Sequence, residues 1–168
     1  MSPAKLSIWK LVKPRQAELL RQVAKPVTWA EIESTDFQKL IDQMISSMYR
    51  AGGIGLAAPQ IGISIRLAVI VAEVADRPES LIMINPVITD VDRVQDVIEE
   101  GCLSIPGKYA SVTRSLAVRL KALDRHGQPY QILAKDLLAR VIQHEVDHLN
   151  GRLFIDRLDQ NTRQNLNL

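Results

Sequence analysis

The feature that most constrains this chain is a long run near its C-terminus, residues 137–150, that contains neither glycine nor proline. Asp136 can cap a helix at the start of the run, and Gly151 is the residue type that ends helices in the left-handed conformation. At 3.6 residues per turn, the leucines, valines and isoleucine form one broad apolar arc. The pattern predicts a helix with this arc buried and the other side in solvent. That other side consists of Ala139, Arg140, Gln143, Asp147 and Asn150.

Two histidines and a carboxylate lie within or beside the apolar arc. His144 and His148 are about one helical turn apart, so both imidazoles face the same way, and Glu145 is next to the first. Burying such groups without partners costs several kcal/mol, and a shared metal ion would satisfy them. The HExxH pattern is short, however, and two core histidines satisfied by hydrogen bonds would produce it as well. The helix alone leaves both interpretations open.

The composition indicates a globular domain. Hydrophobic residues make up 46% of the 168 residues, so we expect one core and a single catalytic domain spanning residues 1–168. The 21 basic and 19 acidic residues are spread along the chain, without a basic arm for nucleic acid. Lysines interrupt the apolar residues of positions 1–13, which argues against a signal peptide or a membrane span. We therefore expect a cytoplasmic protein, or an organellar one whose transit peptide has been removed.

Hydrophobic periodicity predicts one helix and several strands ahead of the C-terminal helix. Thr35 and Gln38 have the spacing of a capping box, and apolar residues then recur with helical spacing until Gly52 and Gly53. Residues before 32 are expected to be irregular, with at most a short helical piece around residues 16–23, and the polar tail from residue 159 is expected to fray. Strand-like runs occupy residues 65–74, 81–88, 110–123 and 129–134. Without strand-helix alternation, this order predicts an α+β fold, with mainly antiparallel β-sheets packed around the buried C-terminal helix and one N-terminal amphipathic helix.

A second unusual segment is Gly-Ile-Gly-Leu-Ala-Ala-Pro-Gln at residues 53–60. Its small residues let the backbone approach a neighbour closely, and the segment is too apolar for an ordinary surface loop. It lacks the spacings of phosphate-binding loops, and it leads from a helix into a strand, which is the wrong order for a dinucleotide fingerprint. We therefore expect no phosphate site there.

A catalytic metal on two histidines needs a third protein ligand. The candidates are His126, Asp156 and Cys102, the only cysteine of the chain. His126 falls in a predicted turn and is expected to face solvent. Cys102 lies in a tight segment between Gly101 and Pro106, and a thiolate is a strong ligand for zinc or ferrous iron. Cys102 is the preferred third ligand. The alternative interpretation is that Cys102 is only a small buried hydrophobic residue.

Three separated segments together resemble the signature motifs of the peptide deformylases. They are residues 53–60, Glu-Gly-Cys-Leu-Ser at residues 100–104 and Gln-His-Glu-Val-Asp-His at residues 143–148, in the order and approximate spacing of that family. The resemblance extends over nearly the whole chain, including residues 21–27 and 149–154. It implies hydrolytic removal of the formyl group from the N-terminal formyl-methionine of newly made polypeptides, with release of formate.

The resemblance also implies roles for individual residues. Cys102, His144 and His148 would bind one divalent metal ion, Fe²⁺ in most of the family, with Zn²⁺, Ni²⁺ or Co²⁺ as substitutes. Glu145 would act as the acid and base on the substrate water. The Gln60 side-chain amide and the backbone N–H of Leu103 would stabilise the oxyanion. Residues expected to bind the peptide or its methionine side chain are Ile54, Gly55, Ile98, Gly101, Tyr109, Leu137 and Val141.

Two departures from the family pattern limit what can be carried over. Tyr109 stands where many bacterial members have an arginine that helps to hold the peptide, so preferences beyond formyl-methionine stay open. The tail after Phe154 is short beside members whose C-terminal helix docks on the ribosome, so any ribosome contact is expected to be transient.

Arg114 and Asp147 match a pair that we expect to form an ion bridge beside the metal site.

Two other classes of protein share parts of this pattern. A HExxH metalloprotease would cleave internal peptide bonds, but such enzymes usually take a third ligand C-terminal to the motif, and Asp156 is the only nearby substitute. A non-catalytic protein with a structural metal would need another Cys or His to close the fourth position, and none is evident. Retention of Glu145 and Gln60 also favours an active hydrolase.

Overall fold

The computed structural model describes residues 6–166. The N-terminal part contains the helices α1 (Pro14–Leu20), α2 (Trp29–Ile32) and α3 (Thr35–Arg50). After them come β1 (Gly55–Ala57), a 3₁₀ turn (Ala58–Ile61), β2 (Leu67–Ile70), α4 (Ala72–Ala75), β3 (Leu81–Val91), β4 (Gln95–Cys102), β5 (Ile105–Ser115), β6 (Ala117–Leu123) and β7 (Pro129–Lys135). The chain ends with α5 (Asp136–Leu149), a second 3₁₀ turn (Phe154–Arg157) and α6 (Gln160–Asn165).

The strands form two antiparallel sheets, as the sequence predicts. One has five strands in the order β1-β2-β3-β6-β7, and the other is the hairpin β4-β5. Three details differ from the sequence analysis. The run 65–74 holds only the short β2 followed by α4, the run 110–123 is divided between β5 and β6 at Leu116, and β4 was missed. Strand β4 escaped detection because its exposed acidic and polar residues give no apolar alternation.

Helix α5 lies between the two sheets, and α3 covers the opposite face of the larger one. Alternate residues of β2 point to opposite faces of the sheet. Ala68 and Ile70 pack in the same hydrophobic cluster as α5, whereas Leu67 and Val69 pack in the cluster that contains α3. All four side chains of β2 are therefore buried. This strand has a continuous apolar run because both of its faces are covered.

The prediction that the polar side of α5 faces solvent is wrong. Ala139, Arg140, Gln143 and Asp147 are all buried, and of that side only Asn150 is exposed. The reason is that the β4-β5 hairpin covers the polar side of the helix and supplies polar partners for it. Gln143, for example, donates to Ser115 O and accepts from Ser115 N. Periodicity alone cannot distinguish this arrangement from a solvated face.

The helix starts also differ from the sequence predictions. Ser34, not Thr35, is the N-cap of α3, and its hydroxyl accepts from Phe37 N. Asp136 is the first residue of α5 rather than its cap, with a left-handed φ of 51°. Before residue 32, α1 overlaps the short helical piece expected around residues 16–23, whereas α2 was not expected, and the tail contains α6 where fraying was expected. Among residues 6–166, no helix is long and apolar enough to cross a membrane.

We expect two matched glycine substitutions to differ in stability. Gly52 and Gly151 each follow a helix, α3 or α5, with positive φ of 66° and 68°. A Cβ at Gly52 meets nothing within 4 Å, whereas one at Gly151 would overlap the backbone of Arg21 and Gln22. Gly52→Ala should cost about 1 kcal/mol of backbone strain, and Gly151→Ala about 3 kcal/mol because overlap adds to strain. Urea unfolding of both variants measures the difference, and equal losses would contradict the packing argument.

Candidate active site

Three potential metal ligands converge where β4 ends against α5. One donor atom each from Cys102, His144 and His148 lies within 4.8 Å of the others. The Cys102 Sγ is 3.3 Å from His148 Nε2. The one-turn spacing of the histidines comes from the helix, but the position of the thiol depends on the register of the hairpin. The preference for Cys102 over His126 and Asp156 agrees with this geometry, since His126 is exposed and Asp156 binds Arg21 and Leu153 N.

The close approach of the three ligand candidates changes the pKa values of Cys102 and His144. Burial opposes charge on Cys102, but the electrostatic effect of His148 and hydrogen bonds with both histidines outweigh it and lower the pKa of the thiol well below its usual value. Burial would also lower the pKa of His144, but hydrogen bonds to Cys102 and Glu100 raise it to about 10. A thiolate and two imidazoles form a donor set that divalent transition metals bind well. The residues present therefore fit a metal ion.

Glu145 is buried beside this cluster, where it can act on a bound molecule. Its side chain is 3% exposed and lines the cavity described below, and within residues 6–166 its Oε2 atom has no hydrogen-bond partner. Burial raises the pKa of its carboxyl group. A Cβ at Gly55 would overlap its carboxylate, so the glycine segment passes as close as a backbone can. A free carboxylate oxygen beside the three ligands is suited to proton transfer.

Gln60 is held in a fixed orientation opposite the helix. Its Oε1 accepts from Ala57 N at 2.9 Å, which directs the amide nitrogen towards the site. That nitrogen lies 3.5 Å from Cys102 Sγ and 3.3 Å from Ser104 Oγ. Leu103 follows directly after the cysteine and lines the same cavity. The sequence segments 53–60 and 100–104 are thus brought together at the end of α5.

The site opens into a cavity of about 490 Å³. Five of the predicted peptide-binding residues line it: Ile54, Gly55, Gly101, Tyr109 and Val141. The Tyr109 ring packs on Gly101, where any Cβ would overlap it. The other two predicted residues, Ile98 and Leu137, do not line the cavity, and both are about half-exposed. Leu137 precedes Val141 by one turn of α5 and is much more exposed than Val141.

Sequence reasoning missed the buried carboxylate Glu100, which holds the site together. It accepts hydrogen bonds from Arg114 and Arg140, and its Oε2 is 3.0 Å from His144 Nδ1. These partners outweigh the effect of burial and lower the pKa of Glu100. The available signal was its place two residues before Cys102, which puts it on the same face of β4.

Arg114 extends the ion network to the end of the helix. It is 1% exposed and contacts Glu100 and Asp147, which confirms the expected pairing with Asp147. Asp147 also accepts from Arg157, and these bonds lower its pKa although burial opposes the charge. Arg140, expected in solvent, binds Glu100 and Asp96 instead. We call the six residues Asp96, Glu100, Arg114, Arg140, Asp147 and Arg157 the ion network.

The fold and the site together define a class of protein: a metal-dependent hydrolase with a Cys-His-His donor set, a buried carboxylate and a peptide-sized cavity. Within that class, the model of the polypeptide deformylase family matches residues 9–164. The chain belongs to the polypeptide deformylase family. The protein removes the N-terminal formyl group from nascent polypeptides and requires a metal ion.

Individual relatives agree with this assignment. The chain is 44% identical over 161 residues to peptide deformylase of Stutzerimonas stutzeri, covering 96% of this chain and 91% of that one. A crystal structure of a Legionella pneumophila peptide deformylase is similar with a TM-score of 0.86 and 44% identity, covering 98% and 92% of the two chains. A class I type b peptide deformylase of Acinetobacter baumannii with bound Met-Ala-Ser has a TM-score of 0.84 and 34% identity, covering 93% and 99%. The predicted family and α+β fold are confirmed.

Removing Arg114 should damage both stability and activity. Arg114→Ala leaves Glu100 and Asp147 buried and under-compensated, which typically costs about 3 to 5 kcal/mol. Without Arg114, Glu100 is also less firmly held against His144 Nδ1, so formate release should fall as well. Thermal unfolding and a deformylation assay measure the two effects. Arg93→Ala, an exposed arginine outside the network, is the control, and wild-type values for both variants would contradict the role of the network.

The lowered carboxyl pKa values predict acid sensitivity. Glu100 and Asp147 have pKa values below the ordinary 4.5 and 3.8, so their stabilisation is present above those values and is lost as pH falls through the lower values of the folded state. Glu145, with a raised pKa, acts in the opposite direction and at higher pH, because its destabilising charge is removed as pH falls towards 4.5. The free energy of unfolding of metal-free protein should fall as pH drops below about 4.5. Denaturant titrations over pH 3 to 7 measure this, with the exposed Glu99→Gln variant expected to match wild type.

Proposed function

We propose that Cys102, His144 and His148 hold the catalytic metal ion, and that the ion is Fe²⁺, with Zn²⁺, Ni²⁺ or Co²⁺ as functional substitutes. The observation that carries this assignment is the convergence of three donor atoms within 4.8 Å, one of them a thiol with a lowered pKa. One soft sulfur and two imidazole nitrogens suit all four metals, so the donor set supports any of these ions and does not select one of them. The choice of iron follows the family resemblance.

Glu145 is proposed to move the proton of the reaction. The metal, when bound, supplies Lewis-acid activation of water and of the formyl group. Glu145 accepts the proton of the attacking water on its unpartnered Oε2 and delivers it to the leaving amine of the substrate. Its raised pKa favours this double role, because a carboxylate that is too weak a base cannot take the proton. The neighbouring backbone of Gly55 leaves the carboxylate little room to turn away.

Gln60 and the backbone N–H of Leu103 are proposed to bind the oxyanion that forms on the formyl group. The bond from Ala57 N to Gln60 Oε1 fixes the amide, so the donor side faces the cavity before substrate arrives. Such preorganised donors each contribute about 3 to 4 kcal/mol to catalysis. Ser104, fully buried, holds the same amide nitrogen at 3.3 Å and supports its position.

The peptide is proposed to bind along two backbone segments. β1 is at the edge of its sheet, and Ile54 with Gly55 can pair with an extended peptide on one side while Gly101 pairs on the other. Val141 and the half-exposed Ile54 offer apolar surface for the methionine side chain, and Tyr109 covers the outer part of the cavity. The Acinetobacter baumannii relative with bound Met-Ala-Ser supports a methionine-first peptide as the ligand.

The substrate also suggests where the protein acts. We place its action in the cytoplasm, on chains that emerge from the ribosome, with at most a transient ribosome contact. Residues 1–168 are proposed to act as one catalytic domain, because ligands from β4 and α5 and the amide of Gln60 all contribute to the same site. No feature of the described surface favours a specific nucleic acid.

The decisive experiment measures formate. Purified protein, loaded anaerobically with Fe²⁺ or Ni²⁺, should release formate from a formyl-Met tripeptide and leave the internal peptide bonds of the product intact. Glu145→Gln should lower kcat by about 10²- to 10⁴-fold with metal still bound, since it removes the general base. Cys102→Ser should lower metal content as measured by elemental analysis. Analysis of unreconstituted protein identifies the native ion.

The matched control for the histidine ligands is His126→Ala, because His126 is exposed and lies outside the cavity. It should keep wild-type metal content and rate, whereas His148→Ala should lose both. Equal formate release from wild type and Glu145→Gln would overturn the role of Glu145. Cleavage of internal bonds would favour the metalloprotease alternative.

A further inference from the structure

One cation of the cavity has no role in the reaction described so far. Lys10 lines the cavity, and its Nζ donates to the backbone oxygen of Leu103 at 2.5 Å. The two residues are 93 positions apart in sequence, so only the tertiary structure brings them together. The contact is made one residue after Cys102 and beside the amide proposed as oxyanion donor.

The segment that carries Lys10 is fixed on both sides. Trp9 N donates to Gln60 O at 2.7 Å, and Leu11 N donates to Ser104 O at 2.9 Å. We call residues 9–11 the N-terminal strap, because they connect the segment of Gln60 with the segment of Ser104. The indole of Trp9 packs on Gly62, where a Cβ would overlap it. The backbone hydrogen bonds on either side of Lys10 therefore fix its position, which keeps its side chain within reach of the Leu103 carbonyl.

The carbonyl bound by Lys10 belongs to a peptide unit that also touches the sulfur. The oxygen of Leu103 and the N–H of Ser104 are the two ends of one peptide bond. Ser104 N donates to Cys102 Sγ at 3.4 Å. A cation on the oxygen withdraws electron density from the peptide unit and makes its N–H a stronger donor, which is the cooperative effect seen in chains of hydrogen bonds. The positive charge of Lys10 is thereby transmitted to the sulfur through one peptide unit.

We propose that Lys10 is a positioning residue that orients and polarises the Leu103–Ser104 peptide towards the Cys102 sulfur. A stronger N–H bond draws electron density from the thiolate, which leaves a metal bound there more electrophilic. The same contact holds the neighbouring Leu103 N–H in place at the oxyanion site. This inference rests on the proposed role of Cys102 as a metal ligand. Lys10 itself does not touch the reacting atoms.

The test compares three variants. Lys10→Met removes the charge and the bond, Lys10→Arg keeps a cation that can reach the same oxygen, and Lys10→Gln keeps a neutral donor. The control is Lys13→Met, an exposed lysine three residues further along the same segment. Wild type and the four variants are studied as intact proteins, with Zn²⁺ for NMR and with Co²⁺ for absorption spectra and kinetics.

Three readouts separate polarisation from simple structural support. In Lys10→Met, the Ser104 amide ¹⁵N and ¹H signals should move upfield, and the sulfur-to-cobalt charge-transfer band should move to lower energy. The kcat for a formyl-Met tripeptide should fall by about ten-fold, with KM unchanged. This is the lower end of the loss of activity that follows when a group in contact with a metal ligand is removed. Lys10→Arg should restore all three values, Lys10→Gln should be intermediate, and Lys13→Met should match wild type.

Failure of the inference can be told from failure of the proposed ligand set. If wild-type protein binds Co²⁺ without a sulfur charge-transfer band, Cys102 is not a ligand and the proposed function is wrong in that respect. If the wild-type band is present but neither it nor the Ser104 signals move in Lys10→Met, Lys10 does not polarise the peptide. A rise in KM confined to acidic peptides, with unchanged spectra, would also overturn the inference, because Lys10 would then be a substrate contact.

Discussion

The rest of the site depends on one buried carboxylate, Glu100, which joins the hairpin to the central helix. It binds Arg114 and Arg140 and supports His144 through Nδ1, so the strand that carries Cys102 and the helix that carries the histidines share one set of ion pairs. Burying ions is costly, and such a network is weak support for stability by itself. Its effect here is to fix register: a shift of β4 by one residue would turn both Glu100 and Cys102 to the other face.

The charges of the network balance: its four buried members are two carboxylates and two arginines, and the more exposed Asp96 and Arg157 add one charge of each sign. Over the whole network there are three carboxylates and three arginines, and each carboxylate binds at least one arginine directly. A metal-supporting carboxylate held charged in this way fixes the orientation of the imidazole it contacts. By contrast, Glu145 is buried one residue from His144, and one of its oxygens has no hydrogen-bond partner among the described residues. The same helix therefore carries a carboxylate held for structure, Asp147, and one left available for chemistry.

Close backbone approach shapes the cavity as much as the side chains do. Gly55 faces the carboxylate of Glu145, and Gly101 faces the ring of Tyr109, with no space for a Cβ at either position. These two glycines thus let β1 and β4 form the walls of a narrow cleft. The N-terminal strap joins the far ends of the same segments through Gln60 and Ser104. The site is held from the helix side by ions and from the other side by backbone hydrogen bonds.

Part of this protein was determined by the sequence alone. Helical spacing put His144, Glu145 and His148 on adjoining positions of α5, and three motifs in a fixed order identified the family, because both depend on local geometry and residue identity. The partners of the polar side of α5 were decided only by the tertiary structure. Arg140 was expected in solvent since periodicity records which side is polar, not what covers it. The roles of Glu100 and Lys10 were missed for the same reason, because their partners lie 14 to 93 residues away in sequence. Only the packing of the hairpin against α5, and of the strap against the segments of Gln60 and Ser104, brings them together.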